Sequence, residues 1–494
     1  MYSLKKALEG IEYEISGNVT EDILISGVKC DSREVCPGDV YVCLKGCKHN
    51  GENYVGEALS KGVKVIICEK QCIMCNKSAI CVRVENTRAA YSRALSNING
   101  APSSRMKMIA ITGTNGKTTV CKMIASVLAE KGKRVAVIGT LGAIFEDNVT
   151  PIKTMTTPDP DVLYSLLRKY ADSGAEYVVM EASSHALSLM KLEGIEPDVA
   201  AITNLTAEHL DFHGNMEDYY LSKKQLFNKA KKGVFLCDDY YTVKMYGEAK
   251  CEKVSCSVNG KGYDYAAENI GYSFENGTVF TMVSKKGRLP LYCPIPAVFT
   301  VSNALLAAAV LSELGIDELS IYRGLSRLGG VDGRMERVKT DADFSVYIDF
   351  AHTPDALSKL LQSVRKIKRQ EQRIVTLFGC GGDRDRSKRS LMGAVASRLS
   401  DFVIITSDNS RSEEPSAIID EIMQGFDKSC PHIRIDDRKK AIEYAVTNAG
   451  KGDIILLCGK GHESYEINKN GYGYFSEKEI VFEALKKRER EKKA

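Results

Sequence analysis

Nowhere in the 494 residues does an uninterrupted apolar run approach the ~18 residues that a membrane-spanning helix requires. The opening stretch, MYSLKKALEGIEYEI, lacks the apolar segment of a secretion signal. Charge of one sign is also scarce. Lys+Arg 68 against Asp+Glu 64 leaves a formal charge of +4, too small and too evenly spread an excess to suggest nucleic acid as a partner. The basic stretch KKREREKKA reads most simply as a solvated helix end. There is no internal repeat and no low-complexity tract. A cytoplasmic chain that binds neither nucleic acid nor membrane is expected.

Cysteine, by contrast, is plentiful: 16 residues, half of them (Cys30, Cys36, Cys43, Cys47, Cys68, Cys72, Cys75, Cys81) within the first 81 positions. CEKQCIMC carries thiols at spacings that suit zinc. Cys43, Cys68 and Cys81, however, sit in the strand-like runs DVYVCL, KVIIC and AICVRV, where a reduced thiol packs as a small hydrophobe. The second reading is the simpler one.

With 44% hydrophobic and 27% charged residues the chain has the make-up of a globular protein, and its length suits about three domains of roughly 150 residues. The first ~100 residues alternate short β-type runs with turns and a helical stretch near GEALSKG, and NINGAPSSR (97–105) reads as a linker. A second unit follows with strand 107–112, a glycine-bearing loop, the helical stretch KTTVCKMIASVLAEKG and the strand RVAVIG; further strands are expected at YVVME and VAAITN. GGVDGRMERV (329–338) marks a second boundary, after which SVYID, RIVTLF, FVIIT and DIILLC alternate with helical patterns. The fold class is α/β, with mostly parallel sheets.

The loop is ITGTNGKTTV. A strict phosphate loop, G-x-x-x-x-G-K-[ST], would need glycine at 111, where the chain has Ile111. What remains is Gly113, Thr114, Asn115, Gly116, Lys117, Thr118 and Thr119. The two glycines permit tight turns that aim backbone N–H groups and a helix N-terminus at phosphate oxygens. Lys117 would reach the β- and γ-phosphates, and the Thr118 hydroxyl would ligate Mg²⁺. The competing reading is a plain strand–helix turn; the strand before and helix after favour ATP binding.

With this loop, motifs through nearly the whole length are similar to those of the Mur ligases, the enzymes that add amino acids to the peptidoglycan precursor. The resemblance runs through DSREVCPGDVYVCLKG (31–46), GTNGKTT (113–119), TTPDP (156–160), MEASSHAL (180–187), ITNLTAEHLDFHG (202–214), YYLSKKQLF (219–227), FTVSNALLAAA (299–309) and GRMERV (333–338). It continues in DFAHTPDAL (349–357), FGCGGDRDRSKR (378–389), SDNSRSEEP (407–415) and GKGHE (459–463). It implies three domains: residues 1–103 binding UDP, 104–335 with a P-loop ATPase-like sheet binding ATP, and 336–494, Rossmann-like, binding the amino acid. Within the family it points to the branch that adds the third residue. The implied reaction joins meso-2,6-diaminopimelate to the D-glutamate γ-carboxylate of UDP-N-acetylmuramoyl-L-alanyl-D-glutamate through an acyl phosphate, with ATP and Mg²⁺, in a monomeric enzyme.

The same resemblance assigns residues. Lys117, Glu181, His209 and Lys223 form the catalytic set. Thr118, Glu181, His209 and a carbamoylated Lys223 bind metal. Asn303, Arg334, Asp349 and His352 join the loop in contacting the nucleotide. Read alone, Glu181 and His209 are more often ordinary polar loop residues than ligands, and Lys223 a surface lysine like Lys224. The spacing Tyr219–Lys223–Phe227 places Lys223 with two aromatic residues on one helix face. Cys30, Ser32, the 47–49 segment, Thr156, Thr157, Ser183 and Lys191 are expected at the UDP-muramoyl-dipeptide. Met155, Leu189 and Lys191 depart from residues common in the family.

Arg384, Asp408, Asn409, Ser410, Arg411, Gly459 and Glu463 are expected around diaminopimelate. The family's diaminopimelate branch carries D-N-P-R, and this chain has Asp408-Asn409-Ser410-Arg411: the proline is gone and the arginine stays. A guanidinium fork suits the distal carboxylate of that substrate and repels the ammonium that ends lysine. Glu463 could pair with the distal ammonium. A ligase for L-lysine or another diamino acid, a P-loop small-molecule kinase and an ATP-binding scaffold without turnover remain the alternatives.

Overall fold

The computed structural model describes residues 1–16, 22–46, 49–70, 79–152 and 156–493. Cys47, Cys72, Cys75 and Met155 lie outside the described residues, as does most of CEKQCIMC. Each third of the chain builds its own sheet around a parallel core.

In the first, Tyr13–Ser16, Ile80–Val84, Val65–Cys68, Val40–Val42 and Val28–Lys29 lie side by side, parallel except for Tyr13–Ser16. VYV and VIIC are continuously apolar because both faces are covered. Val40, Val42, Val65 and Ile67 share a core with Ala90, Ala94 and Leu95 of the helix Thr87–Ile98, while Tyr41, Cys43, Ile66, Cys68 and Cys81 form a second core with Val55 and Ala58. The Cys68 and Cys81 sulfurs lie 3.1 Å apart there. The helix ends later than its linker-like sequence suggests: Ile98 is buried, so Asn97 and Ile98 are helical, and a 3₁₀ turn at Pro102–Arg105 leads into the next unit.

The second sheet has the spatial order Asn148–Thr150, Gly142–Phe145, Val135–Gly139, Tyr177–Glu181, Lys107–Thr112, Val199–Ile202, Lys232–Leu236, Glu252–Ser257, Tyr265–Ser273, Gly277–Ser284, Gly287–Cys293. Its middle is parallel and its two margins are antiparallel. The meander over 265–293 has no counterpart in the sequence reading, since polar residues interrupt it. Lys107–Thr112 lies between strands reached in opposite directions across the sheet, the point where an open α/β sheet leaves a crevice at its strand ends. The helix Lys117–Glu130 seats Val120, Ile124, Val127 and Leu128 in the core, each contributing about 1.5–3 kcal/mol of burial.

In the third sheet Glu336–Val338 runs antiparallel to Ser345–Asp349, followed by parallel Ile454–Cys458, Ile374–Phe378, Phe402–Ile405 and His432–Arg434. The helices Val298–Glu313 and Pro354–Ile367 pack across the boundary, and Val298 N donates to Ser363 Oγ at 2.6 Å. Leu305 and Leu306 of the first helix share one core with Leu357, Leu360 and Leu361 of the second. No helix among the described residues is long and apolar enough to cross a membrane.

Candidate active site

The strand Lys107–Thr112 ends at a loop that only glycine can close. Gly113 has φ +136° and Gly116 φ +90°. A Cβ on Gly113 would stand 1.9 Å from Thr203 Oγ1, and one on Gly116 2.5 Å from Asn303 Oδ1. Thr203 Oγ1 donates to Asn115 O at 2.6 Å, Asn115 N donates to Asn204 Oδ1 at 3.0 Å, and Thr114 Oγ1 meets Tyr219 Oη at 3.1 Å. Lys117 Nζ folds back onto the Gly113 and Thr114 carbonyls, both at 2.9 Å. Thr118 and Thr119 occupy the first turn of the helix, both buried.

Glu181 ends the neighbouring strand Tyr177–Glu181 and is buried beside this turn. Its Oε1 accepts from Thr118 Oγ1 at 3.0 Å and from Thr140 N at 2.8 Å; its Oε2 accepts from Thr140 Oγ1 at 3.2 Å. Thr140 belongs to this constellation, though it stands outside every motif of the sequence. Thr156, Thr157 and Ser183 gather at the same strand end: Thr156 Oγ1 lies 3.2 Å from Thr140 Oγ1, and Thr157 Oγ1 donates to the Glu181 carbonyl at 2.8 Å while accepting from Ser183 N at 3.1 Å.

His209 takes a left-handed conformation, φ +57°, and its ring meets that of His185 edge-on at 4.7 Å. Burial first, then the positive charge of Lys117, lowers its pKa to about 4, so the imidazole is neutral with a lone pair to offer at neutral pH. Among the described residues no three His, Cys, Asp or Glu side chains are arranged to hold a metal ion by themselves. The donors present are nonetheless those Mg²⁺ takes. It binds through one or two protein oxygens together with substrate phosphates and water, and the Thr118 hydroxyl and Glu181 carboxylate are adjacent beside the phosphate loop.

Lys223 lies on the helix Met216–Lys229, and Tyr219, Lys223 and Phe227 are all buried. Lys224 instead pairs with Glu248 at 2.6 Å. Lys223 Nζ donates to the Gly113 carbonyl at 2.9 Å, so two lysines converge on one oxygen. Burial first, and Lys117 second, hold the Lys223 pKa well below the ordinary lysine value. That favours the neutral amine, the form that captures CO₂.

The third unit meets the loop through Arg334, whose Nη2 lies 3.4 Å from Thr118 Oγ1 and whose guanidinium stacks 4.4 Å over Phe350. Asp349 accepts from Met335 N at 2.7 Å and Ala351 N at 2.8 Å; burial pushes its carboxyl up, and Arg334 opposes that rise. His352 stands beside Phe350, its Nδ1 2.8 Å from the Phe350 carbonyl.

A second cluster lies at the strand ends of the third sheet. Arg411, φ +52°, donates from Nη1 to the Gly382 carbonyl at 2.7 Å and to that of Asn409 at 3.3 Å. A Cβ on Gly381 would lie 2.9 Å from Arg411 Nη1 and 3.8 Å from Arg384 Cγ, so the two arginines border the same glycine. Asn409 Nδ2 donates to Glu463 Oε2 at 2.7 Å, and burial raises the Glu463 pKa. Gly459, φ +113°, leaves room for the Asp408 carboxylate, which a Cβ would approach to 2.6 Å. Ser410 is buried between Asn409 and Arg411. Lys460, overlooked in the sequence reading, is fully buried and donates to Asn409 Oδ1 at 3.0 Å.

Cys30 and Lys191 line a pocket of about 230 Å³ between the first two units, with Arg88, Tyr91, Asp159 and Leu189. Lys191 pairs with Asp159 at 2.6 Å. Ser32 is buried nearby, but its hydroxyl donates to Glu57 at 2.8 Å, and it does not line that pocket. A larger cleft of about 790 Å³, which includes Arg93, Arg105 and Glu196, contains none of these residues.

Three family models match successive parts of the chain: the Mur ligase family catalytic domain at residues 24–101, the Mur ligase middle domain at 111–311, and the Mur ligase glutamate ligase domain at 333–461. The chain belongs to the Mur ligase family. Within it, the chain is 40% identical over 485 residues to the UDP-N-acetylmuramoyl-L-alanyl-D-glutamate–2,6-diaminopimelate ligase of Caldanaerobacter subterraneus subsp. tengcongensis, covering 98% of this chain and 99% of that one. A solved structure of a ligase of the same name is 31% identical with TM-score 0.68, covering 94% of this chain and 95% of that one. MurF ligase from Thermotoga maritima in complex with ADP shares the fold at 20% identity and TM-score 0.61, over 96% of this chain and all of that one.

Proposed function

We propose that this chain is an ATP-dependent amide ligase that adds meso-2,6-diaminopimelate to the D-glutamate γ-carboxylate of UDP-N-acetylmuramoyl-L-alanyl-D-glutamate, a step of peptidoglycan precursor synthesis. The observation that carries the reading is near full-length likeness to ligases named for this reaction. In this reading residues 1–103 hold the UDP end, 104–335 the ATP and 336–494 the incoming amino acid, in a monomeric cytoplasmic enzyme.

A carboxylate is a poor electrophile until one oxygen becomes a phosphate leaving group. The γ-carboxylate oxygen attacks the γ-phosphorus and the bond to the β,γ-bridging oxygen breaks, releasing ADP. The neutral amine of the amino acid then attacks the acyl carbon, the C–O bond breaks, inorganic phosphate leaves and the amine loses its proton. Two anions must meet, so the site's task is positioning and charge compensation. Lys117, released from the Gly113 and Thr114 carbonyls, turns to the phosphates, and Arg334, at the boundary of the second and third units and fastened to the third sheet, supports the same charge. Asn303, Asp349 and His352 complete the nucleotide site. Mg²⁺, when bound, offsets phosphate charge; Thr118 would hold it, Glu181 and His209 would hold a second ion, and a carbamoylated Lys223 would support the metals. Thr156, Thr157 and Ser183 hold the dipeptide beside Glu181, and Cys30, Ser32 and Lys191 lie toward the nucleotide-sugar. Arg384 and Arg411 face the distal carboxylate of diaminopimelate, with Asp408, Asn409, Ser410, Gly459 and Glu463 around its distal ammonium.

The test is phosphate release and amide formation with UDP-muramoyl-dipeptide and a panel of amino acids. Release requires both substrates, and meso-diaminopimelate is the best acceptor. Rapid phosphate release by the protein alone, or a phosphorylated small molecule as the final product, would sink the ligase reading.

A further inference from the structure

Asp355, near the start of the helix Pro354–Ile367, is not among the residues assigned above. Its Oδ2 accepts from Asn115 Nδ2 at 3.0 Å, Thr206 Oγ1 at 2.9 Å and Lys359 Nζ at 2.8 Å. Asn115 lies inside the phosphate loop. Thr206 is tied to the same loop, since its N–H donates to Thr114 Oγ1 at 3.0 Å while its carbonyl accepts from that hydroxyl at 3.1 Å. Lys359 sits one turn along Asp355's own helix. One carboxylate oxygen of the third unit thus collects two donors from the second, both belonging to the loop and its support.

A carboxylate at this place is costly for a site that must admit a triphosphate, because like charges repel. An amide or hydroxyl would suffice for simple adhesion. The negative charge adds a stronger acceptor that can hold three donors at once, and Lys359 offsets its charge. Resting on the ligase reading, we infer that Asp355 is a positioning residue: it holds the phosphate loop in register with the unit that presents the amino acid. It touches neither reacting group; it sets the distance over which the amine meets the acyl carbon. Misplacement of reacting groups by about 1 Å costs up to about a hundredfold in rate.

The experiment uses the full chain with Asp355→Ala, Asp355→Asn, Thr206→Val and the Asp355→Ala/Thr206→Val pair. It measures kcat, the KM of the amino acid, ADP affinity by calorimetry and thermal midpoint. Asp355→Ala lowers kcat about ten- to a hundredfold with ADP affinity little changed. Asp355→Asn keeps an oxygen for Asn115 and Thr206 but loses the charge that holds all three donors, and recovers part of the rate. The two single losses are not additive in the pair, since each breaks the same contact. A wild-type rate and KM in Asp355→Ala overturns the inference, as does ADP affinity falling as far as kcat, or strict additivity with Thr206→Val. If the alanine variant does not fold, Thr206→Val alone carries the test, and an unchanged kcat there refutes it. Failure of the ligase reading shows separately, as wild-type protein forming no amide with any amino acid.

Discussion

Replacing Arg411 with alanine probes the choice of amino acid most directly. In the structure its guanidinium holds two backbone carbonyls, and its own N–H donates to Ile467 O at 3.0 Å, tying the loop 408–411 to the hairpin Tyr465–Asn468 and Gly471–Tyr474. Removing a charged partner from a desolvated carboxylate costs about 2–5 kcal/mol. Arg411 is only half buried, and solvent screening reduces the expected loss to about 1.5–3 kcal/mol, or roughly ten- to 150-fold in kcat/KM. Arg411→Lys keeps the charge but not the fork and falls between the two. The assay is the ratio of kcat/KM for meso-diaminopimelate and L-lysine. Wild-type protein favours diaminopimelate strongly, and the alanine variant loses that preference mainly through a higher KM for diaminopimelate. If lysine matches diaminopimelate in the wild type, the specificity reading is wrong. If Arg411→Ala depresses both substrates equally, the side chain serves the loop through Gly382 and not the substrate.

Lys117→Ala removes the cation beside the phosphate loop and lowers kcat about a hundred- to a thousandfold, measured as amide product formed. Lys223 gains the mass of one CO₂ in bicarbonate near neutral pH while Lys224 does not, because burial lowers the pKa of the first amine and favours its neutral form, whereas Lys224 is paired with Glu248; Lys223→Ala is inactive and partly restored by a short-chain carboxylate, and an unmodified, dispensable Lys223 defeats the idea. His185, His209 and His213 each have a pKa lowered to about 4, with burial the leading cause. A base whose folded pKa lies below its unfolded value of 6.5 costs nothing above pH 6.5. Stability is lost as pH falls from 6.5 toward 4, where the unfolded chain binds more protons. The thermal midpoint therefore falls over that interval, and less steeply in a His185→Gln/His213→Gln variant; parallel pH profiles would refute the assignment.

The α/β alternation was legible because buried parallel strands are plain apolar runs: YVVME and IVTLF are strands where expected. Helical spacing separated Lys223 from Lys224, since residues four apart share a face. The meander over 265–293 was not legible, because polar and exposed residues interrupt its apolar runs. Asp355 and Thr140 were missed for another reason. Their partners lie 240 and 41 residues away, and nothing local distinguishes an aspartate that meets a phosphate loop from one that begins a helix. The glycine-bearing loop could be read because its requirement, positive φ, is local.

Arg334 lies at the boundary of the second and third units in sequence, yet its backbone is fastened to the third. Gly333 O accepts from Phe350 N at 2.9 Å, Met335 N donates to Asp349, and a Cβ on Gly333 would stand 2.1 Å from His462 N. The arginine therefore travels with the third sheet while its side chain reaches Thr118 of the second. A fragment that stops short of Gly333 keeps every glycine and lysine of the phosphate loop and loses the arginine. The cations beside the loop are thus split between two bodies: Lys117 comes from the second and Arg334 is fastened to the third. Under the proposed function the chain supplies its own arginine finger, and an isolated central unit would hold a nucleotide without it.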